Sequence, residues 1–511
     1  MMQDESKFRT AIKWSYAMNW ARQGFVVLIT LILARVLDPA MFGVVAIAAI
    51  YIGFIQMLME QGLGTALIQR RNLRPTHLDS MFWTILMLSM ILLALSIGLS
   101  GWWARMNRLP ELESVTILLS LGIPMRGLTI VQESLLRRRM NFRDLALSSS
   151  YAIVSGGVTG IVIALAGGGV WSLVGQQLTT GVTQLFLLWR VGQWRPRFCF
   201  SLGRVRQLVS FSLWVFSSKV GTFLSIRSDA LLMGLFFGPV AVGLYRLSDR
   251  LMNLVLQLHT KSIQMVALPH FSKSQNEREI LRHSVKSCLR LSTIISLPML
   301  ASLAVMAHPL VEIIGPVWVD SADVLKVLCI IGVVKSLTLI TGPLMNALGK
   351  PFLRTIIVWT SAIFCTISFV WVALAFGQAQ VREQILAIAG VRTAVFTLII
   401  LPLNLYILVK FGGLTFRDLL KSVGPACAGS GVAFVLVEMA SQYPIVSSLT
   451  PIVRLVIEGV SIMAIASLTM ILLDPSMFSD IKQFVGTVSK MNPLKNEDGS
   501  MIGDQDKMIQ P

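Results

Sequence analysis

The sequence predicts an all-α polytopic membrane protein of about fourteen transmembrane helices, and three observations carry that expectation. Hydrophobic residues make up 54% of the 511 residues and charged residues only 14%, with a mean hydropathy of +0.72. One or two soluble cores cannot hide that much apolar surface, so lipid must cover it. Apolar runs recur from Trp14 to Leu473 with short polar breaks, where a soluble chain of this length would be divided by polar linkers. The basic residues are concentrated in alternate breaks, as membrane topology demands.

Runs of roughly twenty residues, the length that crosses a hydrocarbon core, place spans near 14–36, 42–63, 78–100, 116–136, 146–166, 170–189, 209–236, 242–268, 289–313, 324–347, 353–377, 385–409, 421–438 and 452–473. The first run carries Arg22 and Gln23, lacks a small-residue cleavage site and is followed at once by the second. It therefore reads as a span and not as a signal peptide. One set of loops holds Arg70, Arg71 and Arg74; Arg137, Arg138, Arg139 and Arg143; Arg190 to Arg206; Lys273 to Arg290; Lys350 and Arg354; and Lys410 to Lys421. The other set is balanced or acidic, with Arg105 and Arg108 offset by Glu111 and Glu113, and with Asp320 and Asp323. The positive-inside rule puts the first set, and with it both termini, on the cytoplasmic side of the membrane. Trp102, Trp103, Trp171, Trp189 and Trp318 at span ends fit an interfacial belt.

The formal charge of +18 is thereby explained by topology, and no nucleic-acid partner is expected. The five cysteines and five histidines are scattered, without CxxC or a His/Cys cluster, so neither a metal nor a disulfide framework is expected. No GxSxG elbow, P-loop or HExxH is present, and no cofactor or catalytic constellation is expected.

Two pairs of segments repeat. LARVLDPAMFG (Leu33 to Gly43) matches LMGLFFGPVAVG (Leu232 to Gly243), pairing Pro39 with Pro239 and Gly43 with Gly243. RGLTIVQESLL (Arg126 to Leu136) matches KSLTLITGPLM (Lys335 to Met345). Both offsets are about 200 residues with the same orientation, as in parallel transporter repeats whose two bundles rock around a central site. The expected organisation is an N-terminal segment 1–13, six-helix halves at 14–208 and 209–409, two further helices at 410–473 and a tail at 474–511.

An ionisable group at mid-span costs about 2.5 to 3.5 kcal/mol, so each needs a cavity, a partner or a function. Arg126 and Lys335 occupy matching repeat positions and are expected to face one cavity from two sides, a planar fork and a point charge suited to an anion. The competing reading pairs Arg126 with Glu133 and lets Lys335 snorkel. Asp229 lies ten residues before Pro239 and Asp249 ten after it, so a helical hairpin brings both to about 15 Å below the turn. Arg227, Arg246 and Arg250 lie near the same level. Asp249 is expected to pair locally with Arg246 and Arg250; Arg227 and Asp229 remain candidates for a gate or an ion-coupling site. Around Pro39 the same arithmetic sets Arg22 level with Gln56, with Glu60 one turn nearer the cytoplasm. These three form either a polar entrance or an interhelical pair. Arg392 is a further candidate cavity cation, Arg454 and Glu458 are expected to satisfy each other, and Gln176 and Gln177 either bind ligand hydroxyls or tie helices together.

The strings ARVLDPAMFGVVAIA, EQGLGTALIQR, LLRRRMNFRDLAL and IRSDALLMGLFFGPVAVGLYRLSDRLMNLVLQLHTKSIQMVALPHFS resemble the polysaccharide transporter branch of the MOP flippase superfamily. They are especially similar to its lipopolysaccharide, colanic acid and succinoglycan exporter group. The likeness runs from Trp14 to Val409. It implies a MATE/MOP-like fold and a flippase that carries an undecaprenyl-pyrophosphate-linked oligosaccharide across the bilayer by alternating access, with a polysaccharide polymerase and a chain-length regulator as candidate partners. The alternative in the same fold is a MATE-type multidrug or cation antiporter, which needs acidic or aromatic residues in its cavity. A membrane enzyme such as a polymerase or ligase is the third class, disfavoured because the external loops reach only roughly a dozen residues.

Overall fold

Prolines and glycines punctuate the chain where helices begin and end. Pro39, Pro75, Pro239, Pro351 and Pro451 each open a helix; the ring fixes φ near its helical value, and the missing N–H has no intrahelical acceptor at that position. Gly238, with φ of 83°, makes the turn that lets Pro239 start a helix directly after its predecessor. Asn141 caps its helix by accepting from the Asp144 amide, and Thr415 with Asp418 forms a reciprocal capping box.

The computed structural model describes residues 22–60, 67, 75–139, 141–199, 212–444 and 448–475. The long helical segments are α1 (22–36), α2 (Pro39–Glu60), α3 (Pro75–Met106), α4 (Glu111–Arg138), α5 (Phe142–Leu165), α6 (Val170–Val191) and α7 (Ser212–Phe236). They continue with α8 (Pro239–Lys273), α9 (Arg278–Val305), α10 (Asp320–Ala347), α11 (Pro351–Ala375), α12 (Val381–Gly412), α13 (Phe416–Ser441) and α14 (Pro451–Leu473). Each expected span overlaps one of these segments where its residues are described; residues 14–21 of the first and 209–211 of the seventh lie outside them. Among the described residues, ten of these segments are long and apolar enough to cross a membrane. Leu165, Leu374, Leu398 and Leu472 stand exposed on the outside, a surface that suits lipid and not water.

Most boundaries lie within about six residues of expectation, and the ninth span departs furthest. The ninth span, expected at 289–313, is a helix from Arg278 to Val305, followed by a short helix at Ala307–Ile314. Arg282 and Arg290 read as loop residues in the sequence. In the structure they pair with Asp418 and Asp474, both at 2.8 Å, so the helix begins earlier than its apolar run. These pairs, with Lys326 to Glu438 at 2.6 Å, fasten α13 and α14 to α9 and α10.

The first repeat explains how the halves meet. A Cβ on Gly43 would overlap the Pro239 carbonyl, and a Cβ on Gly243 would overlap the Pro39 carbonyl. The two copies of the motif therefore pack against each other reciprocally, and glycine is the residue that permits backbone contact at this closeness. The same end is sealed by Trp318, whose Nε1 donates to the Ala34 carbonyl at 2.7 Å and whose ring meets Phe42 edge-on. Arg35 donates to the Ile313 carbonyl beside it. The main apolar core runs through this junction, joining Leu33, Ile47 and Met59 of one half to Met233 and Tyr245 of the other.

Candidate functional site

Below the sealed end, the halves diverge around a cavity of about 1070 Å³. Its walls come from α1, α2, α4 and α6 on one side and from α7, α8, α10 and α12 on the other. Six basic side chains line it, Arg126, Arg227, Arg246, Arg250, Lys335 and Arg392, against the single carboxylate of Asp249. Six glutamines join them: Gln23, Gln56, Gln176, Gln177, Gln184 and Gln257.

The one lining carboxylate is already engaged. Arg392 is 2% exposed and its Nη1 donates to Asp229 Oδ2 at 2.7 Å, to the Tyr245 hydroxyl at 2.8 Å and to Asp249 Oδ1 at 3.3 Å. Arg246 reaches the other Asp249 oxygen at 3.6 Å. The expected local pairing of Asp249 thus holds for Arg246 and not for Arg250. The dominant partner, Arg392, arrives from α12, and Asp229 sits behind the wall as its second anchor. Two carboxylates shared by one guanidinium make a buried pair tolerable only with this many hydrogen bonds.

The matching cations Arg126 and Lys335 both face the cavity, with different attachments. Arg126 bonds Glu133 at 2.7 Å, and Glu133 also holds Arg137 at 2.7 Å, so the pairing expectation and the cavity expectation are both met. Lys335 Nζ donates to Asn253 Oδ1 at 3.2 Å. Arg227 and Arg250 are exposed to the cavity, and neither makes an ion pair or hydrogen bond with another described residue.

Arg22 lies on α1 next to the cavity-lining Gln23, and Gln56 lines the wall; the side chain of Glu60 lies outside the described residues. Arg454 approaches Glu458 at 3.6 Å and Glu312 at 3.8 Å, but Arg454 Nε and both Glu458 carboxylate oxygens are buried without a hydrogen-bond partner among the described residues. The expected mutual satisfaction is therefore met only as an ion-pair contact, and neither residue lines the cavity. Gln176 and Gln177 both line it. Sequence reasoning missed Tyr245, Asn253, Gln23, Gln184 and Gln257. A usable signal existed in the series Arg246, Arg250, Asn253 and Gln257, whose spacing puts one polar stripe along an otherwise apolar helix.

Chemically, the cavity suits an anion flanked by hydroxyl groups. The guanidinium and ammonium groups attract phosphate oxygens, and the glutamine amides both donate and accept. A cationic drug finds no unengaged carboxylate here, and Phe42 is the one aromatic ring among the lining residues, which disfavours the antiporter alternative.

The sequence profile of a family described as polysaccharide biosynthesis protein matches residues 32–323. The chain is 28% identical over 320 residues to the succinoglycan biosynthesis transport protein ExoT of Rhizobium meliloti (strain 1021), covering 62% of this chain and 65% of that one. It is 24% identical over 301 residues to the teichuronic acid biosynthesis protein TuaB of Bacillus subtilis (strain 168), covering 58% and 62%. The matches thus span a little under two thirds of these relatives. A solved structure of the lipid II flippase MurJ, in an inward closed conformation, superposes with a TM-score of 0.74 at 12% identity, covering 91% of this chain and all of that one. That likeness establishes a shared helical membrane fold. Matched by that profile over more than half its length, this multi-pass membrane protein belongs to the polysaccharide biosynthesis protein family.

Proposed function

We propose that the protein is a flippase that carries an undecaprenyl-pyrophosphate-linked oligosaccharide across the bacterial inner membrane, for exopolysaccharide, capsule or O-antigen synthesis. The observation that carries this reading is the charge of the cavity: six basic side chains and one carboxylate that is already held by Arg392 and Arg246. A pyrophosphate supplies the anion that this excess requires, and the glutamines are placed for sugar hydroxyls. Arg227 and Arg250 are the first contacts, because binding costs them no existing ion pair. Arg126, Lys335 and Arg392 add charge from the remaining walls.

In this reading the cytoplasmic side is the one with the basic loops, both termini lie there, and the sealed Pro39 and Pro239 end faces the periplasm. The halves 14–208 and 209–409 then rock about that seal to alternate access. The protein acts as a transporter and not as an enzyme, and a polymerase and a chain-length regulator receive its product.

The test is a proteoliposome assay with undecaprenyl-pyrophosphate-linked glycan in one leaflet and a membrane-impermeant glycosidase or lectin on the other side. Wild-type protein is expected to expose the glycan, and Arg227→Gln combined with Arg250→Gln to reduce the rate at least tenfold while remaining folded. A rate equal to protein-free vesicles for the wild type, or an unchanged rate for the double variant, overturns the proposal or its site, respectively.

A further inference from the structure

A second cavity of about 430 Å³ lies in the C-terminal half, lined from α7, α8, α10, α11 and α12. It adjoins the cationic cavity along four shared helices. Arg227 lines the first and Ser225 the second; Lys335 lines the first and Thr338 the second; Arg392 lines the first and Phe396 the second; Gln257 lines the first and Gln264, two turns on, the second. One turn of helix is about 5.4 Å, which is the scale of the step from a phosphate to the sugar attached to it.

Both α10 and α12 lose regular α-geometry at this level. The α10 helix is interrupted between Thr338 and Thr341, and α12 takes a π-helical turn at Phe396–Ile400. Such π-turns cluster at functional sites because they re-aim side chains out of the regular helix. Here the turn starts at Phe396, whose ring lies 5.9 Å from the Arg392 guanidinium carbon and so stands between the two cavities.

The chemistry of the lower cavity differs from the upper. Its lining holds the amides Gln264, Asn346 and Asn404, the hydroxyls Thr338 and Thr341, and the guanidinium of Arg354, with no carboxylate. Gln264, Asn346 and Arg354 make no side-chain hydrogen bond or ion pair with another described residue. Thr341 is 3% exposed, yet its Oγ1 has no hydrogen-bond partner. A buried hydroxyl without a partner costs free energy, and here it lines a cavity that other unengaged donors and acceptors share.

We infer that this lower cavity is a sugar subsite, which receives the first one or two rings of the glycan while the pyrophosphate is held above by the cationic cavity. The inference rests on the flippase reading. Amides and hydroxyls answer the hydroxyls of a sugar ring in both hydrogen-bonding directions, Phe396 offers an apolar face, and a volume of 430 Å³ falls within the usual range for small-molecule sites of roughly 300 to 1000 Å³.

The experiment measures binding to the full chain in nanodiscs of two probes, undecaprenyl pyrophosphate and the same lipid carrying one N-acetylglucosamine or glucose. Wild type is expected to bind the glycosylated probe more tightly. In Gln264→Ala combined with Asn346→Ala that advantage falls about tenfold, with affinity for the bare lipid unchanged. Arg354→Gln, a separate variant, is expected to act in the same direction. Loss of affinity for both probes to the same degree, or no change for either, overturns the sugar subsite. If wild type binds neither probe, the flippase reading itself fails, an outcome distinct from a lost sugar preference. Asn346 and Gln264 are both exposed to the cavity, so their truncation leaves the packing of the bundle in place.

Discussion

Gly43 of the first half sits against the carbonyl of Pro239 in the second so closely that no side chain fits between them, and Gly243 repeats the relationship with Pro39. The two halves are thus joined through the very residues that the repeat aligns. Gly43→Ala or Gly243→Ala is expected to push the turns apart at a cost of about 1 to 3 kcal/mol, as overpacking does. Thermal unfolding of detergent-solubilised protein reads that loss. Thiol labelling of Thr30→Cys in the cavity, from the periplasmic face, should rise in the same variants; labelling that stays at the wild-type level argues that the seal lies elsewhere.

Arg392 holds Asp229 and Asp249 together inside the bundle. Arg392→Met leaves two buried carboxylates without their main partner and should destabilise by about 3 to 5 kcal/mol. Adding Asp229→Asn and Asp249→Asn should restore most of the stability without restoring transport, because Arg392 also lines the cavity. Stability unchanged in the single variant removes the structural role assigned to this cluster.

Arg126 has two attachments, and a double-mutant cycle separates them. If pairing with Glu133 is its whole role, Arg126→Ala and Glu133→Ala will be strongly coupled in unfolding measurements and equally harmful to transport. The expected result is weak coupling, because Glu133 keeps Arg137, with transport reduced severalfold by Arg126→Ala alone. Lys335→Ala should likewise lower transport while unfolding stays near wild type.

Asp418 closes a capping box and accepts from Arg282 on α9. Asp418→Ala should lower stability by roughly 1 to 2 kcal/mol through the lost cap alone, and detach the start of α13 from α9. Hydrogen exchange of residues 416–422 is the direct measurement, and protection equal to wild type there would count against this docking.

The helical segments were legible because spans are written in local composition: each long apolar run became a helix, and prolines marked the starts of several. The ninth span was misplaced because Arg282 and Arg290 look like loop residues until Asp418 and Asp474 are seen beside them. Lys335 and Arg126 were found through the repeat, Asp249 through hairpin arithmetic. Tyr245 was missed, since an aromatic residue in an apolar helix gives no sign that its hydroxyl will meet a guanidinium from α12.

By itself the sequence determined the membrane class, the order of the spans, the repeat and the excess of positive charge, all of which are properties of one segment or of two similar segments. Only the tertiary structure decided which charges neutralise one another. Arg392 meets Asp229 across 163 residues, and their pairing depends on the depth and rotation of two helices packed side by side. Neither quantity is encoded in the spacing along either helix. That packing consumes both carboxylates and leaves Arg227 and Arg250 facing the cavity, which converts a general excess of charge into a site for an anion.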